Sequence, residues 1–99
     1  FQVDVQDWQV IARTIAELTK EVVSDLQHKS YCARTVTIKI RFDDFRTFTR
    51  ACSLEKATAS AEVIRKAAFS CLKRIELQRR VRLIGVRVTN LEKTANGFF

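Results

Sequence analysis

From Arg34 onward the chain alternates. Val36, Ile38, Ile40 and Phe42 fall on one side of a period of two, and Thr35, Thr37, Lys39 and Arg41 fall on the other, which predicts a half-buried strand. "DD" at Asp43 and Asp44 then turns the chain into "FRTFTRACSL", whose Thr47, Phe48 and Thr49 favour a second strand paired as a hairpin. Phe45 and Phe48 differ in parity, so a bulge or an edge position is expected there.

On either side of this hairpin the spacing is helical. Trp8, Ile11, Ile15, Leu18, Val22 and Leu26 recur at steps of three and four, predicting a helix of about five turns with Trp8 in its buried stripe. Asp4 or Asp7 can cap its start, and the Lys29-Ser30 region ends it. In "ATASAEVIRKAAFSCLKRIEL", Ile64, Ala67 or Ala68, Cys71 and Ile75 face inward and Arg65, Lys66, Lys73 and Arg74 outward, with Ser60 or Thr58 as cap. A last strand, "VRLIGVRVTNL" over 81–91, sets Ile84, Val86 and Val88 against Leu83, Gly85, Arg87 and Thr89. Phe1, Val3 and Val5 alternate over a very short first strand.

The order βαββαβ predicts an α+β fold: a four-stranded sheet with two helices packed on one face and the other face open. With 99 residues, 46% of them hydrophobic, a single domain over 1–99 is expected, with 92–99 as a tail. No apolar run reaches membrane-spanning length and no leader is evident, so a soluble cytoplasmic protein without a membrane partner is the expectation.

Charge sharpens the picture. The 18 basic residues exceed the 11 acidic ones, and the excess lies after Ala33: residues 1–33 carry −2 and the remainder +9. The open face collects Thr35, Thr37, Lys39, Arg41, Thr47, Thr49, Ala51, Ser53, Gly85, Arg87 and Thr89. Hydroxyls, cations and small residues without acids are donors to phosphate oxygens, so this face is expected to bind a polyanion. A basic domain docking on an acidic protein would share the charge pattern. An RNA-reading sheet would show aromatic platforms on its central strands, and Thr, Lys, Arg and Gly stand there instead.

Catalytic and metal chemistry find little support. Cys32, Cys52 and Cys71 are twenty and nineteen residues apart, without a C-x-x-C pair, and only His28 could join them; reduced, buried thiols are expected. Asp43 and Asp44 are adjacent in a hairpin and point apart, which suits a turn better than a metal-binding carboxylate pair.

The segments "ARTVTIKIRFDDFRTFTRACSL" and "VRLIGVRVTNL", in this order and separation, together with "DWQVIARTIAELTKEVVSDL", resemble the C-terminal little finger domain of Y-family translesion DNA polymerases, of the bacterial DNA polymerase IV type. The resemblance implies a sheet backed by two helices that lies in the major groove of the primer-template duplex and grips backbone phosphates. It implies a tether to palm, fingers and thumb, which carry the carboxylates, the Mg2+ ions and the nucleotide site. This chain would then bind DNA in the service of lesion bypass and DNA repair, hold no cofactor and catalyse nothing by itself. Carried over residue by residue, the DNA contacts are Thr49 and Arg50, then Arg82, Gly85, Arg87 and Thr89, and with them Thr35, Thr37 and Lys39. Arg50 does not share the parity of Thr49, which requires a bulge or a reach around the sheet edge. Two departures from the family pattern are expected to matter. Contacts from the basic, hydroxyl-bearing segment that usually leads into the first strand are not expected here, where the sequence starts at Phe1. Ala51 stands where many members have a hydroxyl, which should weaken the grip slightly. The sliding clamp is a second expected partner, although "TANGFF" lacks a convincing glutamine and leucine pattern before its two phenylalanines and reads better as a tail.

Overall fold

The computed structural model describes the backbone of residues 2–5 and all of residues 7–77 and 79–93. In chain order it contains β1 (Gln2–Val5), α1 (Trp8–Lys29), β2 (Tyr31–Phe42), β3 (Thr47–Thr58), α2 (Ala61–Lys73) and β4 (Val81–Lys93). All neighbours in the sheet are antiparallel, in the order β1-β4-β2-β3. Three long strands carry the sheet, and the four-residue β1 adds only to one end of β4. Phe1, Gln6, Gln78 and residues 94–99, with the terminal phenylalanines, lie outside the described residues.

Period two places the core. Val36, Ile38, Ile40 and Phe42 from β2 and Ile84 from β4 are all at most 2% exposed. They meet Ile11, Ile15, Val23 and Leu26 of α1 and Ile64, Ala68, Cys71 and Leu72 of α2 in one continuous apolar layer. Both helices therefore lie on one face of the sheet, as their apolar stripes require.

The helix boundaries follow local chemistry. Asp7, not Asp4, caps α1, its carboxylate accepting from Gln9 N at 2.8 Å. Ser30 ends that helix in the left-handed region at φ 62, with His28 and Lys29 in the last turn, where cations complement the helix dipole. Ser60 caps α2, accepting from Val63 N at 3.4 Å. Two threonines inside the buried face of α1 turn their hydroxyls back to the helix: Thr14 donates to Val10 O at 2.9 Å and Thr19 to Ile15 O at 2.8 Å.

Three expectations are corrected. Trp8, expected in the core, is 47% exposed. It begins α1, one turn before the packed stripe starts at Ile11, and a periodic stripe assigns a face without fixing how far the packed layer extends along the axis. Phe45 belongs to no strand: it sits in the hairpin turn at φ 68, 61% exposed, its N–H donating to Phe42 O at 2.9 Å. No bulge is therefore needed between Phe45 and Phe48. Phe48 packs edge-on against Phe42, with ring centroids 5.6 Å apart. β4 also runs to Lys93, two residues past the expected strand end.

Candidate nucleic-acid interface

The strand registers array the open face in rows. From β3 through β2 to β4 these rows read Thr47, Arg41, Leu83; then Thr49, Lys39, Gly85; then Ala51, Thr37, Arg87; then Ser53, Thr35, Thr89. Among these twelve positions stand three cations and six hydroxyls, and no acid. Neither register shifts between Thr35 and Arg41, so the grid is continuous. The odd-numbered residues of β2 thus present donors to one side while Val36, Ile38 and Ile40 anchor the strand on the other.

Seven of the nine candidate contacts, Thr35, Thr37, Lys39, Thr49, Gly85, Arg87 and Thr89, lie together on this grid. Thr35 shares the face but is only 8% exposed, because Asn90 Nδ2 donates to its hydroxyl oxygen at 2.6 Å. Asn90 reaches it from a left-handed backbone at φ 55. Thr35 is therefore a covered part of the face rather than an offered hydroxyl.

Arg50 lies on the opposite side. It pairs with Ile38 and shares the helix-facing parity of Phe48 and Cys52. Of the two routes open to it, the bulge is excluded by the continuous register and the edge is realised: its guanidinium returns to the strand edge and donates to Thr49 O at 2.7 Å.

Arg82 is set apart as well. The β2–β4 register shifts between Arg41 and Phe42, whose partners are Leu83 and Val81, so Arg82 is the unpaired residue of a bulge. Its guanidinium lies over the Phe45 ring, 4.6 Å from the centroid. That stack covers the exposed aromatic of the hairpin turn and leaves Arg82 itself exposed at the end of the grid.

Gly85 is not demanded by the backbone. Its φ lies outside the left-handed region, and a Cβ added there would meet only Lys39 Cβ, at 3.8 Å. What the glycine does provide is a low point on the open face beside Lys39.

The carboxylates nearby serve the turn. Asp44 accepts from Arg46 N at 3.1 Å and from Arg46 Nε at 2.7 Å, and Asp43 from Arg79 Nε at 2.7 Å. With Asp43 N donating to Arg80 O at 2.9 Å, the β2–β3 hairpin is tied to the α2–β4 loop. The backbone hydrogen bond from Arg46, reinforced by its guanidinium and by Arg79, holds Asp44 below the usual carboxylate range.

All three thiols are free, but only Cys71 is buried as expected; Cys32 and Cys52 are half-buried. Burial pushes the Cys71 thiol up, and burial with the Glu92 charge pushes Cys32 up. Among the described residues no group of His, Cys, Asp or Glu could hold a metal ion, and no helix is long and apolar enough to cross a membrane.

Comparison with known proteins agrees with this architecture. The model of the impB/mucB/samB family C-terminal domain matches residues 1–97. A DNA polymerase IV of Methanoculleus marisnigri is 41% identical over 92 residues, which are 93% of this chain and 26% of that protein. A DNA polymerase IV of Staphylococcus aureus is 35% identical over 99 residues, covering 97% and 27%. The chain thus spans about a quarter of the length of the curated relatives it matches. Among solved structures, the little finger domain of PolIV in complex with the β-clamp processivity factor shares the fold at TM-score 0.72 and 21% identity, covering 95% of this chain and 86% of that one. A ternary complex of Dbh matches at TM-score 0.74 and 18% identity, over 87% and 25%. With the family model spanning nearly its whole length, this chain belongs to the impB/mucB/samB family C-terminal domains and is a little finger domain of the Y-family DNA polymerases.

Proposed function

We propose that the open face of β3, β2 and β4 binds the sugar-phosphate backbone of duplex DNA without regard to sequence, as the grip on primer-template DNA of a longer translesion polymerase. The observation that carries this reading is the acid-free grid, in which Lys39, Arg41 and Arg87 stand among threonines on a face the helices leave uncovered. Cations and hydroxyls at strand spacing meet phosphate oxygens, and the grid holds no aromatic side chain to stack a base. The contacts are Thr37, Lys39, Thr49, Gly85, Arg87 and Thr89, with Arg82 at one end and Arg50 at the outer edge. Polymerisation, its Mg2+ and the acidic site that binds it belong to the remaining three quarters of such a polymerase.

Direct titration tests this. The chain should bind duplexes of unrelated sequence with equal affinity and prefer them to single-stranded RNA. Affinity confined to one sequence, or stronger competition by single-stranded RNA, contradicts the reading.

A second reading, docking on a sliding clamp, draws support from the solved complex of the β-clamp processivity factor with a PolIV little finger domain. Side-by-side titration with clamp and duplex separates the two. If Arg50→Ala and Arg87→Ala abolish clamp binding and leave DNA affinity intact, the basic surface is a protein-docking surface.

A further inference from the structure

The outer edge of β3 carries more than the single Arg50 contact of the open-face reading. Among the described residues β3 pairs only with β2, so one side of it is a free edge. Arg50 donates through Nη1 to Thr49 O at 2.7 Å, and Arg74, the C-cap of α2, donates through Nη1 to Ala51 O at 3.0 Å. Residues two apart turn their carbonyls to the same side of a strand, and carbonyls facing β2 would be spent in the ladder. Both guanidiniums are therefore held on the outer edge, one from the sheet and one from the helix.

Their setting is electropositive. Arg46, Arg50, Arg74 and Arg79 rim a cleft of ≈ 220 Å³ at this end of the edge, and Glu76 is the acid among its lining residues. Arg46 and Arg79 are matched by Asp44 and Asp43. Arg50 and Arg74 spend one donor each on a neutral carbonyl, which leaves four of the five guanidinium N–H groups of each for a ligand.

The two guanidiniums are anchored in line rather than converging on one point. Carbonyls two residues apart on a strand are separated by about 6.6 Å, a spacing comparable with that of successive phosphates along one nucleic-acid strand. Thr47 and Thr49 of the open face border the same edge. An added peptide strand would need the carbonyls of Thr49 and Ala51, which the arginines already cap, so strand addition is disfavoured here.

We propose that the outer edge of β3 is a phosphate rail, on which Arg50 and Arg74 bind successive phosphates of one DNA strand as it passes off the open face. This rests on the open-face reading and adds a helix residue, Arg74, to the grip. Guanidiniums suit the task because their planar forks pair bidentately with phosphate oxygens.

The test uses this chain, a labelled duplex and a salt series. Arg50→Ala and Arg74→Ala should each lower the slope of log affinity against log salt by about one, as Lys39→Ala and Arg87→Ala do on the open face. A second arm uses short duplexes in which one strand carries neutral methylphosphonates along its whole length. Wild type should lose more affinity on them than Arg50→Ala/Arg74→Ala, whose fold is checked by its melting curve. If Lys39→Ala and Arg87→Ala lower the slope while Arg50→Ala and Arg74→Ala do not, the rail is refuted and the open-face grip stands. If none of the four changes it, both fall. Binding of a polyglutamate peptide that depends on Arg74, with DNA affinity untouched by Arg74→Ala, overturns the rail in favour of a protein ligand.

Discussion

Lys39 and Gly85 are register partners on β2 and β4, and the space above Gly85 is bounded only by the Lys39 side chain, whose Cβ would stand 3.8 Å from an added Cβ. That is an ordinary contact, so the fold does not require the glycine. Gly85→Ala should raise the melting temperature, by the equivalent of about 0.5–1 kcal/mol, because alanine loses less backbone entropy in a strand. Gly85→Leu should melt close to wild type and bind duplex DNA more weakly, since it raises a branched side chain on the face proposed to receive the DNA backbone. Calorimetry and a binding titration on the same samples check both. Loss of the fold in Gly85→Leu with binding retained at low temperature would assign the glycine to packing.

Asn90 offers a separate check on the open face. Its left-handed backbone and its hydrogen bond to Thr35 coexist in one residue. Asn90→Gly keeps the backbone and loses the bond; Asn90→Ala loses both. The alanine variant should be less stable than the glycine variant by about 1 kcal/mol, the usual cost of a non-glycine residue held left-handed. Chemical denaturation of the two variants measures the difference.

Much of this was legible in the chain. Period two over 35–42 separates Val36, Ile38 and Ile40 from Thr35, Thr37 and Lys39 without ambiguity, and that single pattern defines both the core face and the open face of β2. The parity conflict between Thr49 and Arg50 was also readable, and its resolution at the strand edge required coordinates, because an edge is a property of sheet order. Trp8 misled because periodicity is blind to where the packed layer ends. Phe45 misled because its left-handed turn is set by the hairpin and by the Arg82 stack, neither of which leaves a local signal. Arg74 carried no sequence signal beyond outward helix parity: its place beside Ala51 is a tertiary contact between residues 23 apart.

The centre of the sheet should be sensitive to small losses of volume. Ile38 is fully buried in β2, between Arg50 and Val86 in register. Ile38→Val should cost about 0.5–1.5 kcal/mol and Ile38→Ala about 2–5 kcal/mol. Equilibrium unfolding in urea gives both values, and a loss below the lower range for alanine would mean that the helices collapse onto the gap.

Acid stability should depend on Asp44. Its pKa is lowered chiefly by the hydrogen bond from Arg46 N, with the guanidiniums of Arg46 and Arg79 adding to it. A group whose pKa is depressed by folding stabilises fully above its unfolded value, about 3.9 for aspartate, and loses that contribution as pH falls through the lower folded value. Asp44→Asn should therefore melt below wild type at neutral pH, and the gap should close on acidification below about pH 4. Melting curves across that range decide it; a gap that widens in acid would contradict the assignment.

The central claim, a phosphate grip by the open face, is tested most directly by the salt dependence of duplex binding for wild type, Lys39→Ala, Arg87→Ala and the double variant. Log affinity should fall linearly with log salt, each single variant should lower the slope by about one, and the double variant by about two, equally on unrelated sequences. Slopes that stay at the wild-type value in all three variants, or binding indifferent to salt, would contradict it.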